Sequence, residues 1–365
     1  MQAKNNQVNN QVILGITIGD LNGIGPELVF KILSDTSITE IFTPVVYCGM
    51  KTVSWYKKRL GLNNFNPFKA PDIKQVQHGK VNIISLWDED LNIQPGTPDA
   101  SLAKYAFLSL KAATIDIKRN YIHAMTTAPI DKSLIAEELS GFTGHTEYLA
   151  GQDQNGRPLM IMVGDLMKVA TATTHVPLKE VASRLDKDSI LQSIVLLNDS
   201  LKRDFLIPKP KIAVLGLNPH AGDNGLIGKE EKDFIIPAIL DAKKENIIVL
   251  GPYSADAFFG TKLFNKFDGI LAMYHDQGLA PFKLLEHETG VNFTAGLSFV
   301  RTSPDHGPAF DIAGKNIANP TSFRHAMFLA KDIYLNRIHY REMYSNPLQT
   351  KTSLTIDAEE QGNNN

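Results

Sequence analysis

The chain has 365 residues, of which 43% are hydrophobic, and 37 Lys+Arg against 39 Asp+Glu give a net charge of −2. It is too long for one compact core, so two lobes are expected, and its balanced charge excludes a basic field for nucleic acid or anionic membrane. A single cysteine, Cys48, excludes an intrachain disulfide framework and suits a reducing compartment.

The N-terminal MQAKNNQVNNQ lacks the apolar core of a signal peptide, and no apolar run approaches the ~20 residues needed to span a bilayer. The expectation is a cytoplasmic globular protein with no nucleic-acid or membrane partner. The first ten residues and the C-terminal DAEEQGNNN are Asn/Gln/Glu-rich and read as frayed tails.

Between the tails, short apolar runs alternate with helical patterns, the signature of βαβ units around a mostly parallel sheet. The apolar runs predict strands at Val12–Ile18, Pro44–Cys48, Val81–Leu86, Ile122–Thr126, Leu159–Val163, Lys168–Thr173, Lys211–Leu217, Ile247–Leu250, Gly269–Met273 and Asn292–Gly296. Helices are expected at Pro26–Leu33, Ser101–Lys118, Lys132–Leu139, Ser189–Leu201 and Ser322–Met343. Leu102, Tyr105, Ala106, Ala113 and Ile117 recur at helical spacing and belong to core packing. Residues 1–135 with 310–365 form one expected lobe and residues 136–309 the other, leaving a cleft where a small molecule would bind.

The Gly-rich turn after the first strand, GDLNGIGPE, is not the G-x-G-x-x-G of a Rossmann fold. Pro26 suits the first helical position and Glu27 the positive helix end, so the turn reads either as an anion cradle or as a plain strand-to-helix connection.

Further along, Thr126, Thr127, Lys132, His145 and Thr146 set hydroxyls, an ammonium and an imidazole near strand ends. Thr146 could equally cap a helix. Three histidines follow strand-like runs: His175 in ATATTHVPL, His220 in AVLGLNPHAGDNG and His275 in ILAMYHDQG. In open α/β sheets ligands bind outside the carboxyl ends of strands, so three imidazoles delivered there could converge on a metal with an open position. Lys283, flanked by Pro281, Phe282, Leu284 and Leu285, reads as a partly buried ammonium. With Arg301 it could hold an anionic substrate end.

Read in order, the blocks GDLNGIGPE, TTAPIDK, GFTGHTEYLA, ATTHVPL, GLNPHAGDNGLIGKEE, GPYSADAFF, AMYHDQGLAPFK and VNFTAGLSFVRTSPDHGPAFDIAG resemble the 4-hydroxythreonine-4-phosphate dehydrogenase family of pyridoxal phosphate biosynthesis. The resemblance implies a two-lobed α/β/α fold like that of isocitrate and isopropylmalate dehydrogenases. It also implies a homodimer whose sites draw on both subunits, and a divalent cation (Zn2+, Mg2+ or Co2+) on His175, His220 and His275. It assigns substrate contacts to His145, Thr146, Lys283, Asn292 and Arg301. Leu21–Asn22 and Asp131 depart from the residues frequent in the family.

The reaction so implied is NAD+- or NADP+-dependent oxidation of 4-phosphooxy-L-threonine, followed by decarboxylation to 3-amino-2-oxopropyl phosphate. Asp256, Asp276 and Lys132 are the candidates for the base, and no cofactor-binding residue is readable. Two other readings remain at this point. One is a paralogue acting on 4-phospho-threonate or 4-phospho-erythronate; the other is a phosphate acyltransferase-like protein, which would not need three convergent histidines.

Overall fold

The computed structural model describes residues 11–138, 141–153 and 156–345. Both expected tails, and Leu139 at the expected end of a helix, lie outside the described residues. The strands are β1 Ile13–Thr17, β2 Thr43–Cys48, β3 Phe68–Ala70, β4 Asn82–Ser85, β5 Ala124–Thr127, β6 Leu159–Val163, β7 Lys168–Thr171, β8 Lys211–Leu215, β9 Ile248–Tyr253, β10 Gly269–Ala272, β11 Val291–Ala295 and β12 Val300–Pro304. They form one sheet in the order β3-β4-β2-β1-β5-β12-β11-β6-β7-β10-β8-β9. Its ladders are parallel except where β11 meets β12 and β6, and where β6 meets β7.

Both faces of this sheet are covered, as a parallel sheet requires. Along β2, Val45 and Tyr47 pack into one apolar cluster with Leu110 and Met125, while Val46 and Cys48 pack into another with Leu14, Phe30 and Phe323. The same alternation holds far across the sheet, where Ala213 and Leu215 face Phe258 and Phe282, and Ile212 and Val214 face the opposite side. Complete burial of each large side chain stabilises the fold by roughly 1.5–3 kcal/mol. Leu102, Tyr105, Ala106, Ala113 and Ile117 of the helix Ala100–Lys118 are all buried, as their spacing requires.

Two strands were not expected. β3 is a three-residue edge strand, too short to leave a pattern. β12, sequence VRTSP, hides because a central strand seldom carries an arginine or a proline. Pro304 escapes the penalty by lying at the very end of the strand. β12 is the seam of the sheet: it runs parallel to β5 on one side and antiparallel to β11 on the other. Among the described residues no helix is long and apolar enough to cross a membrane.

Candidate active site

β7, β10 and β8 are adjacent and parallel, so their carboxyl ends open on one edge of the sheet. His175 follows β7 and His275 follows β10, and their ring centroids lie 6.0 Å apart. His275 is not in a loop but is the first residue of the helix His275–Glu286, whose interior Gly278 and Pro281 disguise it. The helix lays His275, Leu279 and Lys283 along one face at i, i+4 and i+8, with His287 one turn further. All four line a cavity of about 480 Å³, together with Lys132, His145, Thr146, Asn292, Arg301 and His306. Asp276 is not in the lining; its carboxylate instead meets His275 Nδ1 at 2.7 Å.

Arg301 projects from β12 into this cavity and is 2% exposed. Its Nε and Nη2 donate to Thr127 Oγ1 at 3.1 and 2.7 Å, and its Nη1 donates to Thr294 Oγ1 at 3.0 Å. Among the described residues no carboxylate pairs with it directly. Burial pulls its pKa down to about 10, partly opposed by the more distant Glu147. A buried cation held only by hydroxyls is costly unless an anion completes it.

Burial, then the nearby Arg301, also pushes the His145 imidazole well below the usual histidine range, so it is neutral. Among the described residues six buried side-chain atoms lack a hydrogen-bond partner, and three of them, His145 Nε2, Asn292 Oδ1 and His306 Nε2, belong to residues of this cavity. Unsatisfied buried groups gathered in one cleft are what a polar ligand would satisfy.

Lys283 is 44% exposed along its side chain, not partly buried as its neighbours suggest, because Leu284 and Leu285 face solvent. Its ammonium lies 3.3 Å from Asp305 Oδ1. Thr146 does not cap a helix: the helix His145–Gln152 starts one residue earlier, behind Gly144, and has no side-chain cap. The turn before the helix Gly25–Leu33 also lies outside the cavity. Asn22 accepts from Gln94 N at 2.9 Å and donates to Thr97 O at 2.8 Å, and a Cβ on Gly23 would come within 2.8 Å of Pro308. That turn is spent on packing.

His220 stands apart. It is exposed, outside the lining of the cavity, and opens a run of left-handed residues, His220 to Asn224. Asp256, the remaining candidate base, is also outside the lining and accepts from Ser254 Oγ at 2.5 Å. The donor chemistry of His175 and His275 suits a divalent cation. Burial, and then the ammonium of Lys132, lower the His175 pKa, favouring the neutral imidazole that ligates. Asp276 gives His275 the carboxylate partner usual behind a ligating ring. Among the described residues, however, no three His, Cys, Asp or Glu are gathered closely enough to hold an ion.

Sequence reasoning passed over His287, Glu147 and Thr294. The four-residue recurrence from His275 to His287 was the available signal for the first. Nothing local distinguishes the other two.

The architecture and cavity define an α/β protein with a polar cleft at strand ends, into which Lys132, Lys283 and Arg301 bring positive charge. The family model described as "Pyridoxal phosphate biosynthetic protein PdxA" matches residues 40–330. A 4-hydroxythreonine-4-phosphate dehydrogenase of Bacteroides thetaiotaomicron is 42% identical over 93% of this chain and 93% of its own length. One from Prosthecochloris aestuarii is 41% identical over 88% of this chain and 97% of its own. The crystal structure of a 4-hydroxythreonine-4-phosphate dehydrogenase from Burkholderia phymatum superposes with a TM-score of 0.74 at 33% identity, covering 89% of this chain and 99% of that one. The chain belongs to the PdxA family.

Proposed function

We propose that this chain oxidises 4-phosphooxy-L-threonine with NAD+ or NADP+, and that the resulting 2-amino-3-oxo-4-phosphooxybutanoate loses carbon dioxide to give 3-amino-2-oxopropyl phosphate. The observation that carries this reading is the buried, carboxylate-free Arg301 beside the unsatisfied His145 Nε2 and Asn292 Oδ1 in one cavity. Arg301 and Lys283 supply the charge for the phosphate and carboxylate of such a substrate. His145, Thr146 and Asn292 offer neutral hydrogen-bonding groups that orient it without repelling its ammonium.

His175, His275 and His220 would hold a divalent cation, which when bound acts as a Lewis acid on the substrate alcohol and on the carbonyl it becomes. Oxidation sends the C3 hydrogen as hydride to the nicotinamide and the hydroxyl proton to a base. Of Asp256, Asp276 and Lys132, only Lys132 lines the cavity, which favours it, as its free amine, for that proton. The exposed His220 fits a homodimer in which a second copy brings this imidazole to the site. Two lobes meeting at the cavity, in a cytoplasmic enzyme, complete the reading.

The test is spectrophotometric: NAD(P)H formation from 4-phosphooxy-L-threonine, with and without a chelator. Chelator-sensitive turnover supports the proposal. Turnover of 4-phospho-threonate or 4-phospho-erythronate in its place would overturn the substrate assignment, and turnover indifferent to a strong chelator would overturn the metal.

A further inference from the structure

A second cavity, of about 560 Å³, opens at the amino end of β12, the opposite end of the strand from Ser303 and Pro304 of the first cavity. Val300 and the preceding turn, the approach to β5 at Ile122 and His123, and the C-terminal helix Thr321–Ser345 form its wall. Three arginines line it: Arg203, Arg337 and Arg341.

Two of them share one carboxylate. Asp204, itself fully buried, accepts from Arg337 Nε at 2.7 Å and from Arg203 Nε at 3.0 Å. Among the described residues Arg341 has no carboxylate within ion-pair distance, and its Nε only reaches the Arg337 carbonyl at 3.3 Å. Arg337 is 8% exposed, and its Nη2 is buried without a hydrogen-bond partner. Its other terminal nitrogen donates to Leu297 O at 3.2 Å and weakly to Ser298 O. Arg203 and Arg341 both oppose the charge of Arg337, so the guanidiniums repel within one space.

Two flat rings border the same space. His123 and Tyr334 stack with centroids 4.8 Å apart and an interplanar angle of 12°. His123 Nδ1 accepts from Ile13 N at 2.9 Å, so the imidazole is neutral and its proton sits on Nε2. A purely structural clamp would need only Arg337 and Asp204. Arg203 leans on the same Asp204 and Arg341 on a carbonyl alone, so three guanidiniums face one carboxylate and leave an excess of positive charge around a cavity large enough for a ligand.

We infer that the cavity walled by Arg203, Arg337 and Arg341 is a binding site for a small phosphorylated compound, separate from the cavity of Arg301 and Lys283. Guanidinium forks match phosphate oxygens bidentately, and the His123–Tyr334 pair offers a surface to a flat group carried by the phosphate.

Calorimetric titration of the full-length protein with inorganic phosphate and with phenyl phosphate tests this. Arg341→Gln should weaken, by about tenfold or more, a binding step that Lys283→Met leaves within about twofold, whereas Arg341→Lys should retain most of it. Arg341 is exposed, so the Gln variant should melt with the parent. Tighter binding of phenyl phosphate than of phosphate, dependent on Arg341, would show that a ring is also recognised. Equal Arg341-dependent binding of both would support the phosphate site alone. If Arg341→Gln and Arg203→Gln each leave both isotherms unchanged, or if only Lys283→Met alters them, the site does not exist. None of these readouts depends on dehydrogenase activity.

Discussion

The carboxyl group of Asp20 lies in the Gly-rich turn after β1 and is 3% exposed. Burial raises its pKa from 3.8 to about 6, and the hydrogen bond from the Asn22 backbone only partly offsets this. The folded protein therefore holds a proton that the unfolded chain has released between those two pH values, so this group's contribution to stability falls as pH rises through that window. The cost is complete above about pH 6 and amounts to about 3 kcal/mol, at 1.36 kcal/mol per unit. Asp20→Asn keeps an acceptor for the Asn22 amide and removes the charge. Its unfolding free energy should match the parent near pH 4 and exceed it by about 2–3 kcal/mol at pH 7. A pH-independent difference in denaturant titrations would show that Asp20 ionises freely. The motif GDLNGIGPE thus disclosed a turn but not its buried acid, because the turn is closed by backbone bonds to Pro129 and Pro308, which are remote in sequence.

At the scale of elements, the His220 loop is fastened by Glu231, the last residue of the same motif block. The buried carboxylate of Glu231 accepts from the backbone of Leu217 and of Asn218 at 2.8 Å each, and from Asn218 Nδ2 at 3.0 Å. Gly222, at φ +78°, closes over it, where a Cβ would come within 2.4 Å of Oε2. Glu231→Ala would strand two inward amides and should cost about 2–4 kcal/mol, with Glu231→Gln costing less because one acceptor remains. Hydrogen exchange at Leu217 and Asn218 should accelerate in the Ala variant. Unaltered exchange with unaltered stability would mean that the left-handed run from His220 holds itself.

The sequence disclosed the strand before this loop and its histidine, since β-branched runs and glycines are local signals. It could not disclose the fastening, which is a tertiary hydrogen bond. The same division explains β12. Arg301 stood out as a candidate, yet its place in a buried central strand depends on Thr127 and Thr294 of neighbouring strands, which no local pattern couples to it. Among helices, His275–Glu286 was concealed by its own Gly278 and Pro281, while the i, i+4, i+8 recurrence that reveals it lay in plain view.

At the scale of the whole molecule, the eight motif blocks carried the family and most of the cavity, while the position of His220 required coordinates. The exposed apolar residues give this position a meaning. Leu284 is 83% exposed, Leu226 81% and Leu178 74%. They sit respectively beside Lys283, just after the His220 loop, and just after His175. A surface covered by a second copy would account for these exposed leucines. In an isologous dimer, each copy could then offer His220 to the other's cavity. Mixing His145→Ala with His220→Ala tests this. In a mixed dimer one site loses both residues, while the other keeps its own His145 and receives an intact His220. Random re-pairing makes about half the dimers mixed, each with one good site of two, so activity should recover to about a quarter of the parent's. Mixing His145→Ala with His275→Ala, two residues of one chain's cavity, should restore nothing, because in every mixed dimer each site keeps a damaged residue. If the first mixture stays inactive although mixed dimers form, His220 reaches the cavity of its own chain by moving its loop, and no second copy completes the site.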